Sequence, residues 1–290
     1  MAPLFFYPHM IKYILYLHLW LALIAFLLTI ECVLFFSIPL ENYPFSFFSA
    51  AATLFTYNAH TLFAIYSKKK TTELTNWARK HYVSVACTAA AGLVWSMYIC
   101  INHFSLYQWI VLLCTGCLWL FYENYIVRVN KKNIKTIPNY TFIKSIVLAI
   151  VWTIITSILP LTRSDFGLLS QSDALLFIGV RFCLFAFITQ LFEYRDLYTE
   201  KNGIKNNYLS DKTIGYTNLT LYCNLFACII FLQLIFIDVH ILFKLATLLQ
   251  LSALIFFIRI KNIVTVTSSM ILWDGILILS PLICIPVIYS

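Results

Sequence analysis

Apolar runs of about 20 residues recur along the whole chain, at roughly 13–37, 43–66, 82–102, 105–127, 141–161, 173–194, 217–237, 240–260 and 266–288. Each is long enough to cross a hydrocarbon core of about 30 Å. Inside lipid every backbone N–H and C=O must be satisfied within the protein, which leaves helices and closed barrels. Runs this long do not fit barrel strands of about 9–11 residues. The sequence therefore predicts an all-α fold: a polytopic membrane bundle of nine transmembrane helices, forming a single transmembrane domain over residues 1–290. Only 11% of the residues are charged, against about 25% in ordinary soluble domains. The first run exceeds a signal-peptide core of about 7–15 residues and has no small-residue cleavage site, so it is read as a span.

The few charges alternate between the connections. Lys68, Lys69, Lys70, Arg79 and Lys80 follow the second run. Arg128, Lys131, Lys132 and Lys135 follow the fourth, with Lys144 just inside the fifth, and Arg195, Lys201, Lys205 and Lys212 follow the sixth. Of the 20 basic residues, all but Arg163, Arg181 and Lys244 fall on the side that also holds Lys12. The positive-inside rule makes that side cytoplasmic. The amino terminus is then inside and, after nine spans, the carboxyl terminus outside, in a membrane expected to be a bacterial inner membrane. This topology and anionic lipid headgroups account for the net charge of +8. No aqueous domain offers the basic, aromatic-lined face that a nucleic acid would need. The sequons at Asn139 and Asn218 face the cytoplasm and are discounted. The two largest cytoplasmic connections lie four helices apart, a pattern of two halves in hydropathy though not in residues.

Most of the nine cysteines lie in or beside spans and read as small apolar fillers. Cys114 and Cys117 spell C-x-x-C, but mid-span and with no neighbouring histidine. Ionisable residues within spans are costly and usually face a bundle interior. Here they are Glu31, Glu123, Arg181, Lys244 and Asp274. Glu123, near the cytoplasmic end of its span beside Tyr122, reads either as a helix-end group or as a cavity residue near the carboxylates of the sixth span. Arg181 has Glu31 and Asp274 as possible ion-pair partners. Asn58 and His60 sit under two turns from a basic loop. His60 is either a hydrogen-bonded packing residue or a cavity group.

The densest chemistry is the segment Glu193-Tyr194-Arg195-Asp196-Leu197-Tyr198-Thr199-Glu200. Its three carboxylates stand at i, i+3 and i+7, which on a helix falls within one narrow face. Hard oxygens gathered in this way suit Mg²⁺, a cation typically held by one or two carboxylates together with substrate phosphates and water.

With nine spans and a carboxylate-rich segment after the sixth, the chain resembles the UbiA superfamily of intramembrane prenyltransferases. Members have nine helices around a cavity open to the cytoplasm. They carry an N-D-x-x-D-x-x-x-D-like motif after helix two and a D-x-x-D-x-x-x-D-like motif after helix six, which bind Mg²⁺ and the diphosphate of a polyprenyl donor. Glu193, Arg195, Asp196 and Glu200 follow the second motif with two Asp-to-Glu replacements. Gly203-Ile204-Lys205 and Gly215 stand where the family has its following glycines and basic residue. Asp274-Gly275 and the basic segment before Ile137-Pro138 look like members from Bacteroidota. In the first motif Asn58 takes the Asn position, but Ala59, Leu62 and Tyr66 stand where the family has Asp. No carboxylate appears in that region until Glu73.

The resemblance implies transfer of an isoprenyl group from an isoprenyl diphosphate to a lipophilic or aromatic acceptor. Glu193, Asp196 and Glu200 would be the catalytic and metal-holding residues. Asn58, His60, Lys68, Arg195, Lys201, Lys205, Glu123 and Tyr122 would bind substrate. The alternative is a catalytically inactive relative that binds a lipid or a protein partner, with the carboxylates kept for capping and salt bridges. A transporter would show paired Gly- or Pro-broken spans. The seven glycines and the unpaired Pro160, Pro281 and Pro286 argue against one.

Overall fold

The structure is a computed structural model. It describes residues 7–39, 43–66, 73–130, 137–162, 172–203, 241–259 and 274–284, with the side chains of 7–9, 121–130, 137–141, 193–203, 242 and 254–259 left out. The elements are α1 (Tyr7–Tyr16), α2 (Leu19–Phe35), α3 (Pro44–Tyr66), α4 (Glu73–Lys80), α5 (Tyr82–His103), α6 (Leu106–Asn130) and α7 (Ile137–Thr153). A π-helical turn (Ile154–Ile158), α8 (Leu159–Leu161), α9 (Ser172–Gly203) and helices Ile241–Arg259 and Asp274–Cys284 follow. Among the described residues there is no strand.

Tyr82–His103, Phe142–Leu161 and Ser172–Phe192 are long and apolar enough to cross a membrane. The pair Met10–Tyr16 and Leu19–Phe35 makes a fourth if its two parts form one span. The chain is thus an all-helical membrane protein. The expected seventh span lies outside the described residues, and of the ninth only Asp274–Cys284 is described.

The expected second span is helical at Pro44–Tyr66 but is not among the helices apolar enough to cross a membrane, so the described residues give three or four such spans where the sequence predicts nine. Three further spans differ in form. The first is broken: α1 and α2 meet at 61° across Leu17 and His18. The fifth is continuous but changes pitch. Pro160 has no N–H and its ring crowds the carbonyl four residues back. The ladder widens just before it, with Leu159 N–H donating to Ile154 O, as in other π-turns. The sixth extends eleven residues past its apolar part, to Gly203. At 1.5 Å per residue, 32 residues span about 48 Å, well beyond a core of about 30 Å.

The chain forms two compact units, residues 1–105 with 252–290, and residues 106–251. In the first, α3 is the central helix. It packs on α2 on one side, where the Thr29 and Ser49 hydroxyls meet at 2.9 Å and both lie within hydrogen-bond reach of Ala25 O. On the other side it packs on α5, through Val85, Ala89, Gly92, Ser96 and Ile99. A Cβ built on Gly92 would lie 2.8 Å from both Ala51 O and Phe55 N, so the two backbones touch there. Small residues that admit such approach are a main source of helix affinity in lipid, where apolar burial between helices contributes little. Buried Glu31 accepts a hydrogen bond from Ser280, which ties α2 to the last described helix.

In the second unit α7 and α9 form the principal pair. Ser145 O accepts from Thr189 at 3.1 Å, and Trp152 meets Phe185 with ring centroids 5.5 Å apart. Numbers rise on one helix as they fall on the other, so the pair is antiparallel. Phe177 stacks on Phe243, and the guanidinium of buried Arg181 lies 4.8 Å over the Phe177 ring, a favourable placement for a desolvated cation. The described cysteines are free, with Cys114 and Cys117 exposed on α6.

Candidate functional site

The backbone of α9 is helical through all of Glu193–Gly203. The i, i+3, i+7 register of Glu193, Asp196 and Glu200 is therefore real, and the three positions fall within about 60° of one another around the axis. The sequence places no positive charge three or four residues from any of them on this helix: Leu197, Asp196, Glu200, Thr189, Gln190 and Phe192 occupy the nearby places, with Gly203 and Ile204 beyond. Like charges at i, i+3 and i, i+4 disfavour a helix, and opposite charges at those offsets are what usually relieve them. This acidic face draws no such relief from its own helix.

The face has a definite neighbour. Thr189, one turn before Glu193, lies on the same stripe and meets Ser145 of α7. Carrying that antiparallel register forward brings positions 193 and 196 level with the first turn of α7, residues 137–141. Lys144 stands one residue before the contact. The sequence reading kept Lys144 only as a loop-edge basic residue, because its relation to Glu193 depends on how two helices 40 residues apart are paired.

Arg195 and Lys201 also lie on α9, and Glu123 and Tyr122 on α6, in each case among the residues whose side chains are left out. Lys68 and Lys205 lie outside the described residues. Among the described residues no group of three or more His, Cys, Asp and Glu is arranged to hold a metal ion. The carboxylates of α9 are not among the side chains on which that statement rests.

Asn58 and His60 belong to α3, in the first unit, and they diverge. His60 is exposed. Asn58 is fully buried, and its amide nitrogen donates to Leu17 O at 2.9 Å and Leu54 O at 2.8 Å. Leu17 lies in the break between α1 and α2, where a carbonyl released from the helix needs a donor within the protein. His18, beside it, adopts a left-handed backbone with φ 58°, uncommon for a residue other than glycine though less so for histidine. Its Nε2 is 3.3 Å from Thr61 Oγ1, and its ring lies 5.3 Å from that of Tyr57. The sequence reading missed His18, Thr61 and the structural use of Asn58. The available sign was a histidine in mid-run with an Asn-x-x-Thr pair on the next helix.

Just before the break, through Lys12, Tyr13 and Tyr16, α1 is held to α4. Lys12 Nζ lies 3.1 Å from Glu73 Oε1, Tyr13 and Tyr16 both pack edge-on against Trp77, and Tyr13 OH is 3.0 Å from His81 Nδ1. Such an aromatic and charged cluster suits the membrane–water interface. The Lys12 ammonium, and after it the Tyr16 hydroxyl, hold the Glu73 carboxyl below its ordinary range. A lowered folded value means that the bridge stabilises above the unfolded carboxylate pKa and stops doing so as the pH falls through the folded one. Both side chains are substantially exposed, at 43% and 58%, so the effect is small and salt-sensitive. Glu73→Gln is expected to lower the melting temperature slightly at pH 7 in low salt. The difference should vanish at high salt and at a pH low enough to protonate the carboxyl in the folded state as well. A gap that persists there would assign Glu73 another role.

The fold and the acidic face define an all-helical membrane protein with a carboxylate cluster beyond the end of a span. Comparison with models of protein families, with curated proteins and with solved structures finds no match.

Proposed function

We propose that this protein is a UbiA-like membrane prenyltransferase. It transfers an isoprenyl group from a polyprenyl diphosphate to an apolar or aromatic acceptor in a bacterial inner membrane, with its amino terminus in the cytoplasm. The supporting observation is the acidic face of α9: three carboxylate positions in one helical register, beyond the apolar part of the span, without compensation on their own helix.

The donor set fits Mg²⁺, since three carboxylates offer hard oxygens and leave room for phosphate and water. Glu193, Asp196 and Glu200 would hold it, and bound there it supplies charge neutralisation for a diphosphate leaving group. The chain's own cations, Arg195, Lys201, Lys205 and Lys68, attract the same phosphates. Tyr122 and the other aromatics late in the fourth apolar run would exclude water from an allylic cation and stabilise it through their ring faces. The resemblance would also give Glu123, His60 and Asn58 to the substrate, but both N–H groups of Asn58 are already used within the protein.

That last observation favours a second reading. The one residue that matches the first motif's Asn serves a backbone carbonyl, and no carboxylate stands beside it. This is the pattern expected of a catalytically inactive relative that binds a lipid or a protein partner.

Binding of a labelled isoprenyl diphosphate to detergent-purified protein separates the two. The first reading expects saturable binding that EDTA removes and that Asp196→Asn weakens by about 10–100-fold or more, the range typical of metal-site partners. Binding that is absent, or indifferent to Mg²⁺, would overturn it. The second reading expects Glu193→Gln, Asp196→Asn and Glu200→Gln together to disturb assembly instead.

A further inference from the structure

The break between α1 and α2 contains polar atoms with no partner among the described residues. Thr61 Oγ1 spends its proton on Tyr57 O at 3.0 Å. It can therefore only accept from His18, which places a proton on His18 Nε2. His18 Nδ1 is then a bare lone pair, buried, with no donor. Asn58 is held with its amide nitrogen against two carbonyls, so its Oδ1 is fixed on the other side of the group, also buried and without a donor. Both side chains are anchored at the same place: Asn58 to the residue before His18, and His18 to the residue one turn beyond Asn58. The break also holds spare donors. The first N–H groups of α2 have no intrahelical acceptor, and His18 makes no side-chain cap. The indole Nε1–H of Trp20, in that first turn, is buried without a partner.

Unmet donors and acceptors at one break select the ligand's charge. A cation would suit the two lone pairs but would sit at the positive end of α2. An anion would suit that helix end but would meet two lone pairs. A hydroxyl donates and accepts without carrying charge: water has a proton for each lone pair, an alcohol has one, and the oxygen of either can accept from the helix end. Buried acceptors without a donor each cost enough that nearly all are paired in folded proteins. We infer that the His18–Asn58 break is a binding site for a neutral hydroxyl group, of water or of a lipid-soluble alcohol, which donates to His18 Nδ1; water has a second proton for Asn58 Oδ1. This inference is independent of prenyl transfer.

Histidine-selective ¹⁵N NMR of the full chain in phospholipid nanodiscs tests it. The His18 signal is identified with His18→Gln or, should that variant not fold, by substituting the other five histidines one at a time. The expected result is the Nε2–H tautomer with Nδ1 accepting a hydrogen bond. Hexadecanol and its methyl ether, which lacks the O–H, separate the two sources. If the alcohol is the ligand, it shifts the Nδ1 resonance saturably, and the ether binds about tenfold or more weakly. If water is the ligand, Nδ1 shows an exchange contact with water and hexadecanol leaves it unchanged. A proton on Nδ1, or an Nδ1 without a hydrogen bond under both conditions, would overturn the site. Thr61→Val removes the group that fixes the tautomer, and should mix the two His18 tautomers while leaving His60 as it was. An unmixed His18 would count against the arrangement.

Discussion

Replacing Gly92 with leucine should separate α3 from α5 and leave little folded protein. Even a single methyl at this position would stand 2.8 Å from two backbone atoms of α3, Ala51 O and Phe55 N. Backbone cannot rotate aside as a flexible side chain can, so the helices must move. Overpacking of this kind costs about 1–3 kcal/mol for small additions. Alanine offsets part of that through its helix propensity, worth about 1 kcal/mol over glycine. Gly92→Ala should therefore be a modest loss and Gly92→Leu a severe one. The control is Gly116 on α6, whose added Cβ would meet nothing within 4 Å. Gly116→Ala should be neutral or slightly stabilising. Thermal unfolding in detergent, followed by size-exclusion chromatography, checks all three. Equal effects at the two glycines would mean that close approach of α3 and α5 does not set the stability of the first unit.

Asn58→Asp should cost more than Asn58→Leu, although aspartate is the closer match in shape. Asn58 is valuable as a donor: its nitrogen serves Leu17 O at the break and Leu54 O in its own helix. Leucine leaves Leu17 O without its donor, a loss of about 1–3 kcal/mol. Ionised aspartate would set a buried negative charge against two carbonyl oxygens, an uncompensated charge of the kind that costs about 3–5 kcal/mol. Protonation reduces that loss and restores one donor, so Asn58→Asp should recover towards acid pH while Asn58→Leu does not. Were aspartate tolerated at neutral pH, Asn58 would instead stand near a positive charge or a metal, and the first motif of the resemblance would gain support.

The acidic face and the spans were legible in the sequence for different reasons. Apolar length alone marks Tyr82–His103 and the apolar part of α9, because a bilayer leaves the backbone no other way to satisfy itself. The carboxylate spacing was readable because i, i+3 and i+7 have a fixed meaning on a helix. That α9 continues to Gly203 was not readable from hydropathy, since the apolar signal stops at Phe192 and the extension is polar. The break at His18 was not readable from hydropathy either. It contains neither glycine nor proline, and it persists because a side chain 41 residues away donates to Leu17 O. Lys144 was seen as a basic residue. Its place next to the Thr189–Ser145 contact, one turn from the level of Glu193, follows from the pairing of α7 with α9.

The sequence by itself determined that this chain is helical, that it belongs in a membrane, and that three carboxylates share a face after the sixth apolar run. These are local matters of apolar length and helical period, which the bilayer and the backbone impose on any such chain. Only the tertiary structure decided that the first span is broken, that Gly92 is a contact between backbones, and that Asn58 is a donor to the break. Each of these depends on which atom of a distant helix arrives at a given place. Inside a membrane that pairing is set by close packing and a few hydrogen bonds, neither of which leaves a period in the sequence.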